Sequence, residues 1–363
     1  MRDHLFWKRR VWERQGWAGR LLWALVLPIA LVYACAVQLR HLLFQLGGIP
    51  AKRLPRPVIS VGNLTVGGTG KTPTIVWLAQ ELTKRGYRVA VLSRGYKRTG
   101  REPVILQPGL KAGNRGSQEE ISVGDEPAMM ARLFGLRVGV GRDRFEAGEL
   151  VLRASEMDVF LLDDGFQHRQ LKRDLDLVIL GNDSEGWLLP SGPFREPRSG
   201  ARRADLRLLT GSFEAWEAFL GSEGKESPVF RGSLEAKCLV SLEGDCWTEA
   251  ALSSLAGKKI VAVSAIADSS RFHQMIEDWG GALVEALEYP DHHLYTARDW
   301  QQINRASRQA DFVVTTEKDL MKLLRFPFAR GGLCALRVAM VIENGDSLLS
   351  AVERAIRARS AQA

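Results

Sequence analysis

Residues 65–72 read Thr-Val-Gly-Gly-Thr-Gly-Lys-Thr, and this stretch decides the fold. The apolar run Val58–Val61 precedes it and predicts a buried strand, and apolar residues at helical spacing follow it from residue 75 to residue 82. A strand, a glycine-rich loop and a helix in this order form a phosphate cradle, because loop N–H groups and the positive end of the helix dipole face the anion. In such loops the lysine, here Lys71, reaches the β- and γ-phosphates, and the hydroxyl of Thr72 binds Mg²⁺. The stretch therefore predicts a site for a nucleoside triphosphate.

The stretch departs from the usual phosphate-loop pattern at one position. That pattern has glycine five residues before the last glycine of the loop, where this chain has Thr65. The alternative interpretation is a glycine-rich turn that contains Lys-Thr by chance, but the strand before it and the helix after it favour nucleotide binding. Val66 occupies the place where ATPases that pair face to face often carry lysine, which argues against that class.

Size and composition indicate a globular protein of two units. The chain has 363 residues, of which 45% are hydrophobic and 25% are charged, and these are ordinary values for globular proteins. The whole formal net charge of +8 comes from residues 1–56, so the remainder is formally neutral. A nucleic-acid-binding surface in the remainder is therefore not expected. The four cysteines show no C-x-x-C spacing, which argues against a metal cluster or a disulfide framework and fits a reducing compartment.

The basic amino-terminal part also contains an uncharged apolar run at residues 21–37. Its length is close to the lower limit for crossing a bilayer, and Pro28 would bend a helix at its middle. Tryptophans 7, 12, 17 and 23 suit the level of the lipid headgroups. We expect this segment to contact the membrane, either lying in the cytoplasmic leaflet or crossing it. A buried core helix of a soluble body is the alternative.

Predicted strands and helices alternate after Pro50. Strands are predicted at 57–61, 89–92, 136–140, 159–163, 175–180 and 206–209, which indicates a parallel sheet covered on both faces. After residue 225 the pattern restarts without a glycine loop, with strands predicted at 260–263, 282–287 and 312–315. The predicted fold is α/β: a P-loop NTPase-type parallel sheet, a smaller C-terminal α/β domain and an N-terminal membrane-associated helix. The expected domains are residues 1–50, 51–225 and 226–363.

Two carboxylates follow the predicted strand at 159–163. Asp163 and Asp164 emerge at its carboxyl end, where a Walker B carboxylate orients Mg²⁺ in P-loop enzymes. Successive strand residues point to opposite faces, so the two aspartates need not share one role. A strand-ending Asp-Asp-Gly turn is the simpler alternative, but the upstream phosphate loop favours a metal role.

Three further segments place polar residues where ligands bind in such sheets. Arg94 follows a predicted strand, and it is either near the phosphates or a solvated loop arginine. Asp125 opens a helical stretch, where an acid is either a cap or a general base. Residues 189–197 contain three prolines, which fix an extended loop. That loop would hold Arg195 and Glu196 rigidly, as a phosphate clamp and a metal ligand.

The smaller unit contributes two more segments. His292 follows Asp291 in a predicted loop, and it is either part of a capped turn or a proton-transfer group. Residues 315–319 read Thr-Thr-Glu-Lys-Asp. This is similar to the guanine-reading pattern Asn-Lys-x-Asp, but the lysine is one place out of register, so GTP is not inferred.

These motifs together resemble those of the tetraacyldisaccharide 4′-kinases of lipid A biosynthesis. The resemblance extends from the basic amino-terminal helix to about residue 325. The polar stretch 107–122 matches no motif and is expected to form a mobile loop. The matching segments are Ser-Val-Gly-Asn-Leu-Thr-Val-Gly-Gly-Thr-Gly-Lys-Thr-Pro (60–73), Ser-Arg-Gly-Tyr (93–96), Gly-Asp-Glu-Pro (124–127), Asp-Asp-Gly-Phe-Gln-His (163–168), Gly-Pro-Phe-Arg-Glu-Pro (192–197), Pro-Asp-His-His (290–293) and Thr-Glu-Lys-Asp (316–319).

The resemblance implies an ATP- and Mg²⁺-dependent kinase that phosphorylates the 4′-hydroxyl of a tetraacylated glucosamine disaccharide 1-phosphate. It implies a location at the cytoplasmic face of the inner membrane of Gram-negative bacteria. The expected partners are the acylated disaccharide and anionic membrane lipids but no nucleic acid, and the chain is expected to be monomeric. Implied catalytic residues are Asp125, His292 and Lys71. ATP would be bound by Thr65, Val66, Gly67, Gly68, Thr69, Gly70, Lys71, Thr72, Arg94, Tyr96, His168 and Arg195, and the metal by Thr72, Asp163, Asp164 and Glu196.

Two other functions would use some of the same features. A membrane-associated P-loop nucleotide switch for protein delivery or insertion would hydrolyse nucleotide slowly and form no phosphorylated lipid. An ATP-dependent ligase acting on a small carboxylate would not need residues 1–45. In the kinase interpretation, closure would complete the site if Asp125 and His292 lie in different domains.

Overall fold

The structure is a computed structural model that describes residues 11–96, 98, 100–109, 123–221, 227–244, 246–266, 268–328 and 332–361. Trp7 and residues 110–122 of the expected mobile loop lie outside these ranges. Short 3₁₀ helices cover Arg198–Arg203 and Leu252–Leu255. The helices and strands are α1 (Gly16–Gln45), β1 (Val58–Asn63), α2 (Lys71–Lys84), β2 (Val89–Ser93), β3 (Val104–Leu106), α3 (Asp125–Leu133), β4 (Arg137–Val140), α4 (Arg144–Ala154), β5 (Val159–Asp163), β6 (Leu175–Leu180), β7 (Leu206–Leu209), α5 (Phe213–Gly221), β8 (Val229–Glu243), β9 (Cys246–Ala250), β10 (Lys259–Ser264), α6 (Ser270–Asp278), β11 (Ala282–Glu288), α7 (Ala297–Ser307), β12 (Phe312–Thr316), α8 (Glu317–Leu323), β13 (Leu333–Ile342) and α9 (Gly345–Ser360).

These elements group into two compact units, and each unit is discontinuous in sequence. The first unit comprises Met1–Leu92, Arg144–Ser233 and Met340–Ala363, and the second comprises Ser93–Asp143 and Leu234–Ala339. The sequence-based division at residues 50 and 225 stays a prediction, because it concerns consecutive stretches of chain rather than spatial clusters.

A parallel sheet forms the centre of the first unit. β1 lies between β5 and β6 and pairs in parallel with both. β2 pairs with β5, β7 pairs with β6, and the first residues of β8 pair with β7, again in parallel. Every residue of β1 and β5 is buried, so both faces of the sheet are covered, as is usual for parallel strands. The phosphate loop follows β1, and Asp164 follows β5, so both leave the sheet at the carboxyl ends of adjacent strands.

The second unit is also α/β. β10 pairs in parallel with β11 and β12, and β12 pairs in parallel with β13. β8 and β9 form an antiparallel pair, as do β3 and β4. Sequence periodicity predicted β10, β11 and β12 to within one residue at each end. It did not predict β9, β13 or the long strand β8, whose residues are largely half-buried or exposed and lack a continuous apolar run.

α1 contains the predicted apolar segment and continues through Pro28. Among the described residues it is the one helix long and apolar enough to cross a membrane, and 6% of its most apolar window is buried. Large apolar side chains at helical spacing are exposed along it, including Trp17, Leu21, Leu25 and Ile29. These four residues are called the apolar stripe below.

The body of the first unit contacts α1 through other side chains. The Tyr33 hydroxyl donates to the Arg195 carbonyl at 2.7 Å, and the rings of Trp23 and Trp187 pack edge to face with centroids 5.5 Å apart. α1 is therefore attached along part of its length to the segment that carries Arg195.

Candidate active site

The loop between β1 and α2 has the backbone of an anion cradle. Gly67 and Gly70 have φ values of +119° and +87°, a region that glycine adopts without steric cost. Gly70 is also the N-cap residue of α2, and it has no side chain to cap the helix. The first N–H groups of α2 and the positive end of its dipole therefore remain available to an anion.

Side chains from the neighbouring strands hold the loop in place. The Asn63 side-chain amide donates to the Thr69 hydroxyl at 3.0 Å. The Thr210 hydroxyl donates to the Thr69 carbonyl at 3.2 Å. Thr69 is thus tied to the ends of β1 and β7, and these two bonds hold the curvature of the loop.

Thr65 replaces the usual first glycine without strain. It forms an antiparallel bridge with Phe194, and it is not among the residues with positive φ. The next residue, Val66, donates its N–H to the Pro193 carbonyl at 2.9 Å. The proline-containing loop at 189–197 therefore pairs with the start of the cradle, which explains why glycine is not required there.

Two cations face the carboxylate of Asp164. Arg195 Nη1 lies 2.8 and 2.7 Å from its two oxygens, and Lys71 Nζ lies 3.8 Å from Oδ1. Burial alone would raise the pKa of Asp164, but the charges of Lys71 and Arg195 outweigh it and lower the pKa. Asp164 also has φ of +48°, a conformation that a non-glycine residue keeps only when its surroundings hold it. The site is an ionised carboxylate in a positive surrounding, suited to a polyphosphate.

Glu196 has a different environment from the one predicted for a metal ligand. Its side chain is 1% exposed and pairs with Arg203, and the Gln167 amide donates to it at 2.6 Å. His41 of α1 lies 3.6 Å from the same carboxylate. These partners satisfy a buried charge. The metal role of Glu196 stays a prediction, and the geometry gives it a role in holding the 189–197 loop.

Asp125 and His292 form a pair inside the second unit. Asp125 begins α3, and His292 lies in the loop after β11. Its Nδ1 is 3.2 and 3.1 Å from the two carboxylate oxygens. The side chains are only 14% and 16% exposed, and His292 has φ of +58°. Because both residues belong to the same compact unit, the predicted completion of this pair by closure of two domains does not apply.

Two lysines of α8 surround this dyad. Lys318 Nζ is 3.1 Å from His292 Nε2, and Lys322 Nζ is 3.6 Å from Asp125 Oδ2. Burial by itself would raise the pKa of Asp125, but the bond to His292 and the charges of the two lysines lower it well below its usual value. Asp125 is therefore a carboxylate throughout the neutral range.

The remaining predicted nucleotide contacts lie in both units. The Tyr96 ring packs against His292 with centroids 4.9 Å apart, and Tyr96 is 57% exposed. Arg94, two residues earlier, is exposed. In the first unit, the His168 N–H donates to the Gly165 carbonyl at 2.8 Å and closes the turn after Asp164. The structure thus brings Tyr96 to the dyad and His168 to the Asp164 turn.

Comparison with known proteins decides the family. The family model described as tetraacyldisaccharide-1-P 4′-kinase matches residues 22–357. The chain belongs to the tetraacyldisaccharide-1-P 4′-kinase family. The resemblance predicted from seven short segments is confirmed over nearly the whole chain.

Relatives and a solved structure agree with this assignment. The tetraacyldisaccharide 4′-kinase of Syntrophus aciditrophicus (strain SB) is 38% identical over 356 residues, covering 92% of this chain and 94% of the relative. That of Aquifex aeolicus (strain VF5) is 35% identical and covers 91% of this chain and 98% of the relative. The crystal structure of LpxK from Aquifex aeolicus in complex with ATP matches with a TM-score of 0.73 and 33% identity, over 92% of this chain and 99% of that chain. The predicted α/β fold is confirmed, and the chain is a bacterial ATP-dependent kinase rather than a nucleotide switch.

Kinases of this family use ATP with Mg²⁺, and the cradle offers the oxygen donors that Mg²⁺ prefers. Among the described residues, no group of three or more His, Cys, Asp or Glu could hold a metal ion. Such a group is not needed, because Mg²⁺ in kinases is held by one or two carboxylates together with phosphate oxygens. Thr72 in the first turn of α2 and the 37% exposed carboxylate of Asp164 fit this arrangement, whereas Asp163 is 6% exposed.

The sequence did not predict several residues that contact the Asp125–His292 pair or Glu196. Lys318 lies in the segment 315–319 but has no predicted role there, and Lys322 lies outside every motif. Their spacing of four residues puts both on one helix face, which was the available signal. Gln167 and Arg203 both engage Glu196: Gln167 is 29 residues from it in sequence, and Arg203 is 7 residues away at the end of a 3₁₀ helix, where helical or strand periodicity does not predict the contact.

Proposed function

We propose that the cradle and the dyad of this chain serve one reaction, the transfer of the γ-phosphoryl group of ATP to the 4′-hydroxyl of a tetraacylated glucosamine disaccharide 1-phosphate. The observation that supports the assigned roles is the Asp125–His292 pair, at 3.1–3.2 Å, in a chain whose other unit carries an uncapped phosphate cradle. A proton acceptor and a triphosphate site are the two parts that phosphorylation of an alcohol requires.

The cradle supplies positioning and positive charge. Loop N–H groups and Lys71 would hold the phosphates, and Arg195 would add charge near the transferred group. The transition state of phosphoryl transfer is loose, with charge spread over the γ-phosphate oxygens, so fixed donors contribute most of the rate enhancement. Mg²⁺, held by Thr72 and Asp164, would supply further charge neutralisation when bound.

The dyad supplies the proton acceptor. The sugar oxygen forms a bond to the γ-phosphorus, the bond between that phosphorus and the β–γ bridging oxygen breaks, and ADP leaves. The hydroxyl proton passes to Asp125. A carboxylate with a lowered pKa is a weak base, but a loose transition state releases the proton late, after the hydroxyl has become acidic. General-base assistance of this kind is typically worth about 10²–10⁴-fold in rate.

The apolar stripe of α1 supplies the membrane contact that an acylated substrate requires. We infer that it lies in the cytoplasmic leaflet of the inner membrane, since Tyr33 and Trp23 of the same helix contact the protein body. Helices with one apolar side and basic flanks bind such interfaces, and anionic lipids strengthen the attraction. Arg20, which is exposed on the same helix, would face these lipids.

The test uses the purified full chain, [γ-³²P]ATP and tetraacyl disaccharide 1-phosphate in detergent. We expect a labelled lipid on thin-layer chromatography, with the new phosphate at the 4′ position by tandem mass spectrometry. The matched control is the same acceptor lacking the 4′-hydroxyl, which should give no labelled lipid. ATP hydrolysis without lipid labelling would overturn the proposal.

The membrane contact has its own test. Flotation with vesicles containing anionic phospholipid should recover the chain, and Leu25→Glu should reduce recovery because it places a charge in the apolar stripe. The control is Val229→Glu, which changes an exposed apolar residue of β8. Equal flotation of both variants would contradict the assignment of the apolar stripe.

A further inference from the structure

We propose that Lys318 is a positioning residue of the dyad. Its ammonium group donates a hydrogen bond to Nε2 of His292 and thereby fixes the ring as the Nδ1–H tautomer, which donates to Asp125. This inference rests on the proposed function of the dyad. It also gives a role to the Thr-Glu-Lys-Asp segment at 316–319, which neither nucleotide binding nor the metal site uses.

The charge state of Lys318 is the first step. Its side chain is 14% exposed, and burial alone would lower its pKa. The carboxylates of Glu126, Asp125 and Asp291 outweigh burial and raise the pKa, with Glu126 Oε1 at 3.5 Å and Asp291 Oδ1 at 3.2 Å from Nζ. Lys318 is therefore an ammonium group, which has three donors and no acceptor.

The tautomer of His292 follows from this charge. Lys318 Nζ lies 3.1 Å from Nε2, and an ammonium can only donate, so Nε2 must be the unprotonated acceptor. A neutral imidazole has one donor and one acceptor nitrogen, so the ring proton is on Nδ1. That nitrogen is within 3.2 Å of both oxygens of Asp125.

The consequence concerns which group takes the substrate proton. Both ring nitrogens of His292 are engaged, one by Lys318 and the other by Asp125. The ring therefore orients the carboxylate, and the carboxylate is the proton acceptor. A histidine free at Nε2 would instead compete for the hydroxyl proton.

The position of Lys318 is set by a firmly anchored helix start. The N-cap Thr316 accepts from the Asp319 N–H at 3.1 Å. The Asp319 carboxylate is fully buried and accepts from the Ala265 N–H at 2.8 Å. Thr316 and Asp319 thus fix the first turn of α8, and this turn places Lys318 beside His292.

Lys322 provides a matched comparison on the same helix. Its Nζ lies 3.6 Å from Asp125 Oδ2 and 2.7 Å from Asp319 Oδ1. Lys318 and Lys322 both contribute positive charge to the dyad, but it is Lys318 that meets Nε2. Charge effects and tautomer effects can therefore be separated by changing one lysine at a time.

The experiment measures the ring protons directly. The full chain labelled with ¹⁵N-histidine in detergent is studied by long-range ¹H–¹⁵N correlation, with His292→Gln to assign the signal. We expect His292 of the wild type to be the Nδ1–H tautomer. Lys318→Met should populate the Nε2–H tautomer, whereas Lys322→Met should not. A wild-type ring protonated on Nε2, or the same tautomer in Lys318→Met, would overturn the proposal.

Kinetics add a second readout. Lys318→Met should lower kcat roughly 10–100-fold, as expected for a misplaced catalytic group, with little change in KM for ATP. Lys318→Arg keeps a donor and a charge and should recover part of the loss. If the melting curve of Lys318→Met shows that this variant does not fold, the tautomer of His292 is measured in Lys318→Arg and Lys318→Gln instead. Failure of the proposed function is recognised separately, as normal turnover in Asp125→Asn.

Discussion

The cradle around Lys71 and the dyad around Asp125 differ in the balance of charge that they enclose. In the cradle, two cations face one carboxylate, and backbone N–H groups add to the positive side. In the dyad, two lysines lie among several carboxylates, including Asp125 and Glu126. In the proposed function, the first arrangement would attract the polyanion, and the second would keep one carboxylate ionised. Affinity for ATP and transfer of the proton would then belong to separate parts of the fold.

The two regions also share a feature. Asp164 and His292 both have positive φ, at +48° and +58°, and each is held by charged partners. Such conformations cost of order 1–3 kcal/mol and persist where the surroundings determine them. Backbone strain at one residue in each region is typical of functional sites, where the surroundings hold a side chain in a fixed orientation.

The largest expected effect is that of Asp125→Asn. The amide keeps the size of the side chain but accepts no proton, so kcat should fall about 10²–10⁴-fold. The affinity for ATP, measured by calorimetry, should change little, because the cradle is intact. This separation of kcat from ATP affinity is the strongest test of the division between the two regions.

A neighbouring aspartate provides the control for this variant. Asp299 pairs with His293 at 3.0 Å, and its carboxylate accepts from the N–H of Thr296, the N-cap residue of α7. Asp299→Asn should lower the melting temperature slightly, as loss of a cap costs about 1 kcal/mol, and leave kcat unchanged. Comparable losses of kcat in the two variants would show that any disturbed His–Asp pair reduces activity.

The second largest effect is that of Lys71→Ala, which should change the use of ATP. Loss of its charge beside the triphosphate should reduce kcat/KM for ATP about 10²–10³-fold and weaken ATP binding. The control is Lys84→Ala at the other end of α2, a 70% exposed lysine paired with Glu81. Such surface pairs contribute little, so Lys84→Ala should be active. Full ATP affinity in Lys71→Ala would exclude the cradle as the triphosphate site.

Arg195→Lys should have a smaller effect that sharpens the description of the cradle. Lysine keeps the charge but cannot reproduce the contact of Arg195 with both oxygens of Asp164. We expect kcat/KM for ATP to fall about tenfold, the equivalent of roughly 1.4 kcal/mol. Arg231→Lys is the matched control, because Arg231 makes the same kind of contact with Glu217 on an exposed surface. If both substitutions are silent, positive charge alone accounts for the role of Arg195.

The two regions differ in how far the sequence predicts them. The cradle consists of eight consecutive residues between a strand and a helix. Its local geometry follows from the conformational freedom of its glycines and from the unpaired N–H groups at the start of the helix. Its position beside Asp164 follows from the rule that parallel strands end at one edge of the sheet. Hence Lys71, Thr72 and the carboxyl-end aspartates were predictable from residues alone.

The dyad was not predictable in this way. Asp125 and His292 are 167 residues apart, and neither periodicity nor spacing brings them together. Only family resemblance connected them, and it placed them in separate consecutive domains. The contacts of the α8 lysines with Asp125 and of Gln167 with Glu196 were missed for the same reason, since contacts between distant segments depend on how the whole chain packs. The long strand β8 was missed because its alternation between half-buried and exposed residues gives a weak signal.

The smallest expected effect concerns stability in acid and compares Asp125 with Asp164. The pKa of each carboxyl is lowered in the folded protein, below the value of about 3.9 in an unfolded chain. The unfolded chain therefore binds these protons more readily, so the stabilisation is present above about pH 4 and is lost as the pH falls through the lowered pKa. Asp125→Asn should make the fall of the free energy of unfolding between pH 4 and pH 3 shallower, by about 1.4 kcal/mol per pH unit at most, and thermal melts at each pH measure this. The slope is the informative quantity, because the substitution also leaves Lys318 and Lys322 with one partner fewer and so changes the melting temperature at every pH.

Lys71→Ala should make the slope shallower by less, since Arg195 still lowers the pKa of Asp164. An unchanged slope in Asp125→Asn would show that the lysines of α8 do not hold this carboxyl ionised.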